Sequence, residues 1–169
     1  MKNKAIAVFI VLALAMAVSA YAQAPTYVGA GKCQMCHKTE KQGQQYPIWE
    51  KSNHSKAFAA LSSPGAAANA QALGVKDPAT DAKCLKCHAP VAEFKAEGVT
   101  CEACHGAGSD YKALSVMKAK DEAVKKGLKL YANPEAIKTW CLGCHKDAHG
   151  KSFDFAAAWD KIKHPVPAK

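Results

Sequence analysis

Cys33-Gln34-Met35-Cys36-His37, Cys84-Leu85-Lys86-Cys87-His88, Cys101-Glu102-Ala103-Cys104-His105 and Cys141-Leu142-Gly143-Cys144-His145 together use all eight cysteines of the chain. Paired cysteines alone are ambiguous, because Cys-x-x-Cys also serves zinc sites and disulfide scaffolds. The histidine after each pair decides between them. Histidine is about one residue in twenty-four here, so four such coincidences have odds on the order of one in several hundred thousand. Cys-x-x-Cys-His is the attachment signature of c-type haem: two thiols form thioethers to the porphyrin and the histidine becomes the proximal iron ligand. Four motifs imply four covalently bound haem c groups. Their attachment residues are Cys33, Cys36, Cys84, Cys87, Cys101, Cys104, Cys141 and Cys144, and their proximal ligands are His37, His88, His105 and His145.

The rest of the chain fits covalent haem. Lys2 and Lys4 precede an apolar run from Ala5 to Ala17, followed by small residues through Ala22. This pattern reads as a secretory signal peptide over residues 1–22, with Ala20 and Ala24 as alternative cleavage points. The run is too short to span a membrane comfortably, so no stable membrane insertion is expected after cleavage. The expected product, residues 23–169, is one tetrahaem domain, exported to the periplasm or the cell exterior, where haem is attached by the cytochrome c maturation machinery.

The formal charge is +9 and every basic residue is lysine. Loss of Lys2 and Lys4 and the propionates of four haems lower that excess. Nucleic-acid binding is not expected, since arginine is absent and no aromatics interleave the lysines. A lysine surface suited to an acidic docking face on a redox partner protein is expected instead.

Strand signals are weak and loop residues abundant, so the fold class is mainly α with extensive loops, organised around the cofactors. One helix is expected from Gln45 to Leu61, entered through Pro47, with His54, Phe58 and Leu61 on one face. Trp49 packs there on a porphyrin edge or in ordinary core. A short helix is expected at Ala66 to Leu73 within a loop, and another helix over residues 109–127 with an exposed lysine face. A new segment starts at Asn133-Pro134, and a C-terminal helix from Phe153 ends at His164.

Seven histidines set a limit. After the four proximal ligands, His54, His149 and His164 remain for four distal positions, so one iron lacks a histidine cap. His149 follows His145 by four residues and cannot share its iron, because axial ligands approach from opposite porphyrin faces; it reaches a neighbouring haem or is a surface residue. Met117 and Tyr111 are the nearest candidates for the odd position, and Tyr111 or Glu93 for a proton donor beside it.

These segments resemble the tetrahaem cytochrome c-554 family. The resemblance lies in Cys33 to His37 followed by Trp49-Glu50-Lys51-Ser52-Asn53-His54, in Gly98-Val99-Thr100-Cys101 through His105-Gly106, in Cys141 to His145, and in the helix ending at His164. It implies a compact multihaem cytochrome c fold, periplasmic electron transfer between redox partner proteins, and distal ligation by His54 and His164. It also implies three bis-histidine haems and one five-coordinate haem on the second motif, at His88. One departure stands out: the family often has a distal histidine after the third motif's glycine-rich turn, where this chain reads Gly108-Ser109-Asp110-Tyr111. Either His149 substitutes or a second haem lacks a histidine cap. No residue set for acid–base or nucleophilic chemistry accompanies the motifs. An electron carrier is therefore the first expectation, with a nitric oxide-type reductase at an open haem or a subunit of an extracellular haem filament as alternatives.

Overall fold

The computed structural model describes residues 23–146 and 148–165. The expected leader lies outside them. Among the described residues there are helices, 3-10 turns and loops but no strand. We number the helices α1 (Ala30–His37), α2 (Gln45–Lys51), α3 (Pro64–Ala72), α4 (Ala82–His88), α5 (Cys101–His105), α6 (Leu114–Met117), α7 (Lys120–Lys125), α8 (Pro134–His145) and α9 (Phe155–Ile162). The longest has 12 residues. Helices this short are marginal on their own, so their stability comes from tertiary contacts.

Each motif ends a helix: α1, α4, α5 and α8 all stop at the motif histidine. Helical spacing explains why. Residues three and four apart share a face, so both cysteines and the histidine of one motif point to the same side. Local caps start three of these helices. Asp81 accepts from the Lys83 amide at 2.8 Å, Thr100 from the Glu102 amide at 3.2 Å, and Asn133 from the Ala136 amide at 2.9 Å. Pro134 sits in the first turn of α8, where a missing N–H costs nothing.

Large aliphatic side chains contribute little to the interior. Among the described residues the buried apolar side chains are mostly alanines and valines with Leu61 and Tyr111, and the largest fully buried side chain is Glu102. Its carboxylate accepts from the amides of Val28 (3.0 Å), Gly29 (2.8 Å) and Gly108 (2.7 Å). Glu97 adds a bond from the Ala30 amide at 2.8 Å. Glu102 thus holds the entry to α1 against α5 and Glu97 holds it against the 3-10 turn at residues 92–97, and α1 packs on both α2 and α5.

Two expected helices are interrupted. The helix expected over Gln45 to Leu61 ends at Lys51, and residues 59–62 form a separate 3-10 turn. Serines break it: the Ser52 hydroxyl donates to the Trp49 carbonyl at 2.7 Å and accepts from the His54 amide at 3.1 Å. Ser55 donates to the Glu50 carbonyl at 2.8 Å. These side chains compete with the helical ladder, so His54 sits in a turn and does not share a helix face with Phe58 and Leu61.

The stretch 109–127 likewise holds only α6 and α7, packed on each other around the buried Ala123. Its first part stays a loop because Ser109 pairs with Thr26 through two bonds of 2.9 and 3.1 Å. The short helix at Pro64–Ala72 and the starts of α8 and α9 fall close to their expected places.

Because Glu102 serves several buried backbone donors, Glu102→Ala should lower stability by about 3 kcal/mol, at a cost of about 1–3 kcal/mol per orphaned group. Glu102→Gln keeps one acceptor oxygen and should lose about half as much. Guanidinium unfolding of the holoprotein measures both; a loss below about 0.5 kcal/mol for the alanine variant would mean that those amides find water instead.

Candidate haem-binding site

Six of the seven histidines meet in three pairs, and each pair joins one motif histidine to one other. His145 faces His54 with ring centroids 6.1 Å apart, His88 faces His149 at 6.2 Å, and His105 faces His164 at 6.0 Å. The planes are inclined by 47°, 65° and 58°. Metal–imidazole bonds are about 2.0 Å, and with the ring radii they separate two imidazoles sharing one metal by about 6.3 Å. The donor spacing therefore fits an iron between each pair. Aromatic side chains also meet at such distances without a metal. What sets these apart is composition, since every pair takes one member from a motif and one from outside.

The donors come two at a time. Among the described residues no cluster of three or more His, Cys, Asp or Glu is arranged to hold a metal ion, and all eight cysteines are unbridged.

Ring orientation is set by the atoms behind each imidazole. His88 Nδ1 lies 2.8 Å from the Ala57 carbonyl and His105 Nδ1 lies 3.1 Å from the Lys129 carbonyl. A carbonyl can only accept, so Nδ1 carries the proton and Nε2 is left as the metal-binding nitrogen. His145 is held differently, stacked on Phe153 at 4.5 Å. His37 Nδ1 meets the side-chain amide oxygen of Gln45 at 3.2 Å. Burial lowers the pKa of His54, His105 and His145, which favours the neutral, ligating form.

His54 is placed by a clamp to the residues just before the third motif. Its carbonyl accepts from the Val99 amide at 2.9 Å, while the Trp49 indole N–H donates to the Val99 carbonyl at 2.7 Å. Gly98, at φ +68°, lets the two backbones touch; a Cβ there would collide with the His54 carbonyl. Trp49 is thus a positioning residue. His149 is placed by backbone conformation. It is one of two non-glycine residues with positive φ among those described, at 55°, which turns it away from His145 and toward His88.

Two expectations bear on this geometry. The resemblance put the histidine-free position at His88, but His88 is opposed by His149, and His37 is the histidine outside the three pairs. Tyr111 is not free to act as a cap or proton donor: it is buried and its hydroxyl donates to the Gly106 carbonyl at 2.7 Å. Burial also raises its pKa, against the phenolate form that binds iron. Met117 lies on α6 and Glu93 is exposed in the 3-10 turn at residues 92–97.

The motifs adjoin through their cysteines. Cys33 lies near Cys101, Cys87 near Cys144, and Cys104 near Cys141. An aromatic pair spans the last junction. Tyr131 donates to the Cys104 carbonyl at 2.8 Å and sits 6.1 Å from Trp140.

Residues 32–106 match the family described as cytochrome c554 and c-prime. The match contains the Trp49–His54 segment and three of the four motifs, and the fourth lies beyond it. Curated proteins and solved structures return no match.

Trp49→Phe removes one buried donor and leaves the Val99 carbonyl unpaired, so stability should fall by about 1 kcal/mol. The spectrum should respond too, with partial loss of His54 coordination on mild warming. An unchanged melting curve and spectrum would show that the indole only fills space.

Proposed function

We propose that this chain, a c-type cytochrome by the match of residues 32–106, holds four covalently bound haem c groups and carries electrons between redox partner proteins outside the cytoplasm. The observation that carries this reading is the set of three opposed histidine pairs, each with one motif member. When bound, each haem c supplies a one-electron iron couple whose potential follows its axial ligands and burial. The protein's part is to attach, orient and line up those groups.

The cysteine contacts support an order. The first motif adjoins the third at Cys33 and Cys101, the third adjoins the fourth at Cys104 and Cys141, and the fourth adjoins the second at Cys144 and Cys87. Attachment points this close favour a single file of sites with the first and second motifs at its ends. Such a file suits a carrier that accepts at one end and donates at the other.

Export through the leader at residues 1–22 and assembly by the maturation machinery belong to the same reading, since thioether attachment takes place outside the cytoplasm. Lys112, Lys118, Lys120, Lys125 and Lys126 are all exposed, and only Lys125 is engaged in an ion pair among the described residues, with Glu122 at 2.7 Å. That face suits an acidic partner, steering encounter more than adding affinity.

Two measurements test the proposal. The mass of the purified protein and its pyridine haemochrome should each give four haems per chain; a smaller count ends the tetrahaem reading. His54→Ala should convert one low-spin haem to high-spin in the oxidised EPR spectrum. An unaltered low-spin count would remove His54 from the ligand set.

A further inference from the structure

Resting on the tetrahaem reading above, we infer that Phe153 is a positioning residue for the fourth-motif haem: its ring, stacked on His145, fixes the plane of that imidazole and with it the direction in which this haem exchanges electrons. A bond from Nε2 to iron leaves the imidazole free to turn about that bond, so a second contact must choose its plane. His88 and His105 take that contact from the Ala57 and Lys129 carbonyls, at 2.8 and 3.1 Å from Nδ1. His145 takes it from a ring. The Phe153 and His145 centroids lie 4.5 Å apart and the two planes differ by 11°. A hydrogen bond at one edge atom tolerates some ring rotation. A parallel face contact is lost as soon as the imidazole turns out of plane.

Phe153 is itself held in place. It meets Phe155 edge-on at 6.5 Å, and Phe155 stacks on Trp159 at 6.3 Å and 14°. Asp154, between the two phenylalanines, caps α9 by accepting from the Ala157 amide at 3.1 Å. The ring that sets His145 thus enters α9, and the chain just past the far end of α9 supplies His164, which faces His105. One short element serves the third and fourth sites together. On the opposite side of the fourth site, the clamp at Trp49 and Val99 places His54, whose ring is inclined 47° to that of His145. The angle between two axial imidazoles orders the iron d orbitals and orients the half-filled one in the ferric state. It therefore sets both the g values and the direction of strongest electronic coupling. Direction matters most at a site with a neighbour on each side, and the fourth motif adjoins the third at Cys141 and the second at Cys144.

Low-temperature EPR of the oxidised holoprotein is the test. The fourth-site signal is identified as the one that turns high-spin in His54→Ala. Phe153→Leu keeps an apolar side chain but removes the flat face, and should shift the largest g value of that signal alone. Phe153→Tyr keeps the face and should retain the native value. The low-spin signals of the His88 and His105 sites should stay in place in both variants.

A Phe153→Leu spectrum that matches the native one would overturn the inference, as would a shift shared by all the low-spin signals or a Phe153→Tyr spectrum that follows Phe153→Leu. Loss of holoprotein in Phe153→Leu would make the ring a folding element and overturn it as well. Failure of the tetrahaem reading shows separately, before any Phe153 variant is made, as a haemochrome count below four or an unaltered low-spin count in His54→Ala.

Discussion

The buried carboxylate of Glu102 is the contact on which the arrangement of motifs depends. It stands between the two cysteines of the third motif, yet its partners are the backbone amides of Val28, Gly29 and Gly108. One side chain therefore joins the entry of α1, the third motif and the loop that follows it. The consequence is the packing of α1 on α5, which carry the first and third motifs. A carboxylate takes this part because the chain has few large aliphatic residues to spend on a core. Charge-assisted hydrogen bonds to backbone are directional and strong for their size, and they hold segments in register where dispersion between alanines would not.

A second clamp works by backbone contact. Gly98 and Val99 lie against His54, and Trp49 closes the join from the other side. The two segments that carry the family resemblance, Trp49 to His54 and Gly98 to Gly106, are thus physically bound to each other. Their spacing in the sequence has a structural cause. A tryptophan is needed to reach Val99, and a glycine is needed for the approach. The motif cysteines then lie one after another across α5 and α8, which gives the proposed electron path its sequence of sites.

Ligand assignment shows how a local change propagates. With serine and tyrosine in the loop after the third motif, that loop binds the N-terminal segment and its own turn. The chain meanwhile bends at His149 into a left-handed conformation beside Gly150, bringing an imidazole to His88. A non-glycine residue held there is conformationally costly, by about 1–3 kcal/mol, and such cost persists where surrounding structure demands it. Among the seven histidines, His37 is the one outside the three pairs.

The cofactor chemistry was legible in the sequence because haem attachment is local. Two cysteines and a histidine within five residues satisfy one helical turn, and no distant residue is needed to recognise them. The histidine count was legible for the same reason, since it is independent of fold. Asn133-Pro134 marked the start of α8, and the helical spacing of Phe155, Trp159 and Ile162 marked α9, because those signals act within a few residues. Pairing was not legible. Which of His54, His149 and His164 meets which motif depends on contacts between residues as far apart as His54 and His145. The helices expected over Gln45–Leu61 and residues 109–127 failed where serine hydroxyls and long-range hydrogen bonds outcompeted periodic pattern. Composition and spacing determined what this protein binds; only the tertiary structure, through Glu102, Gly98 and the bend at His149, decided which ligands face each other and which histidine stands alone.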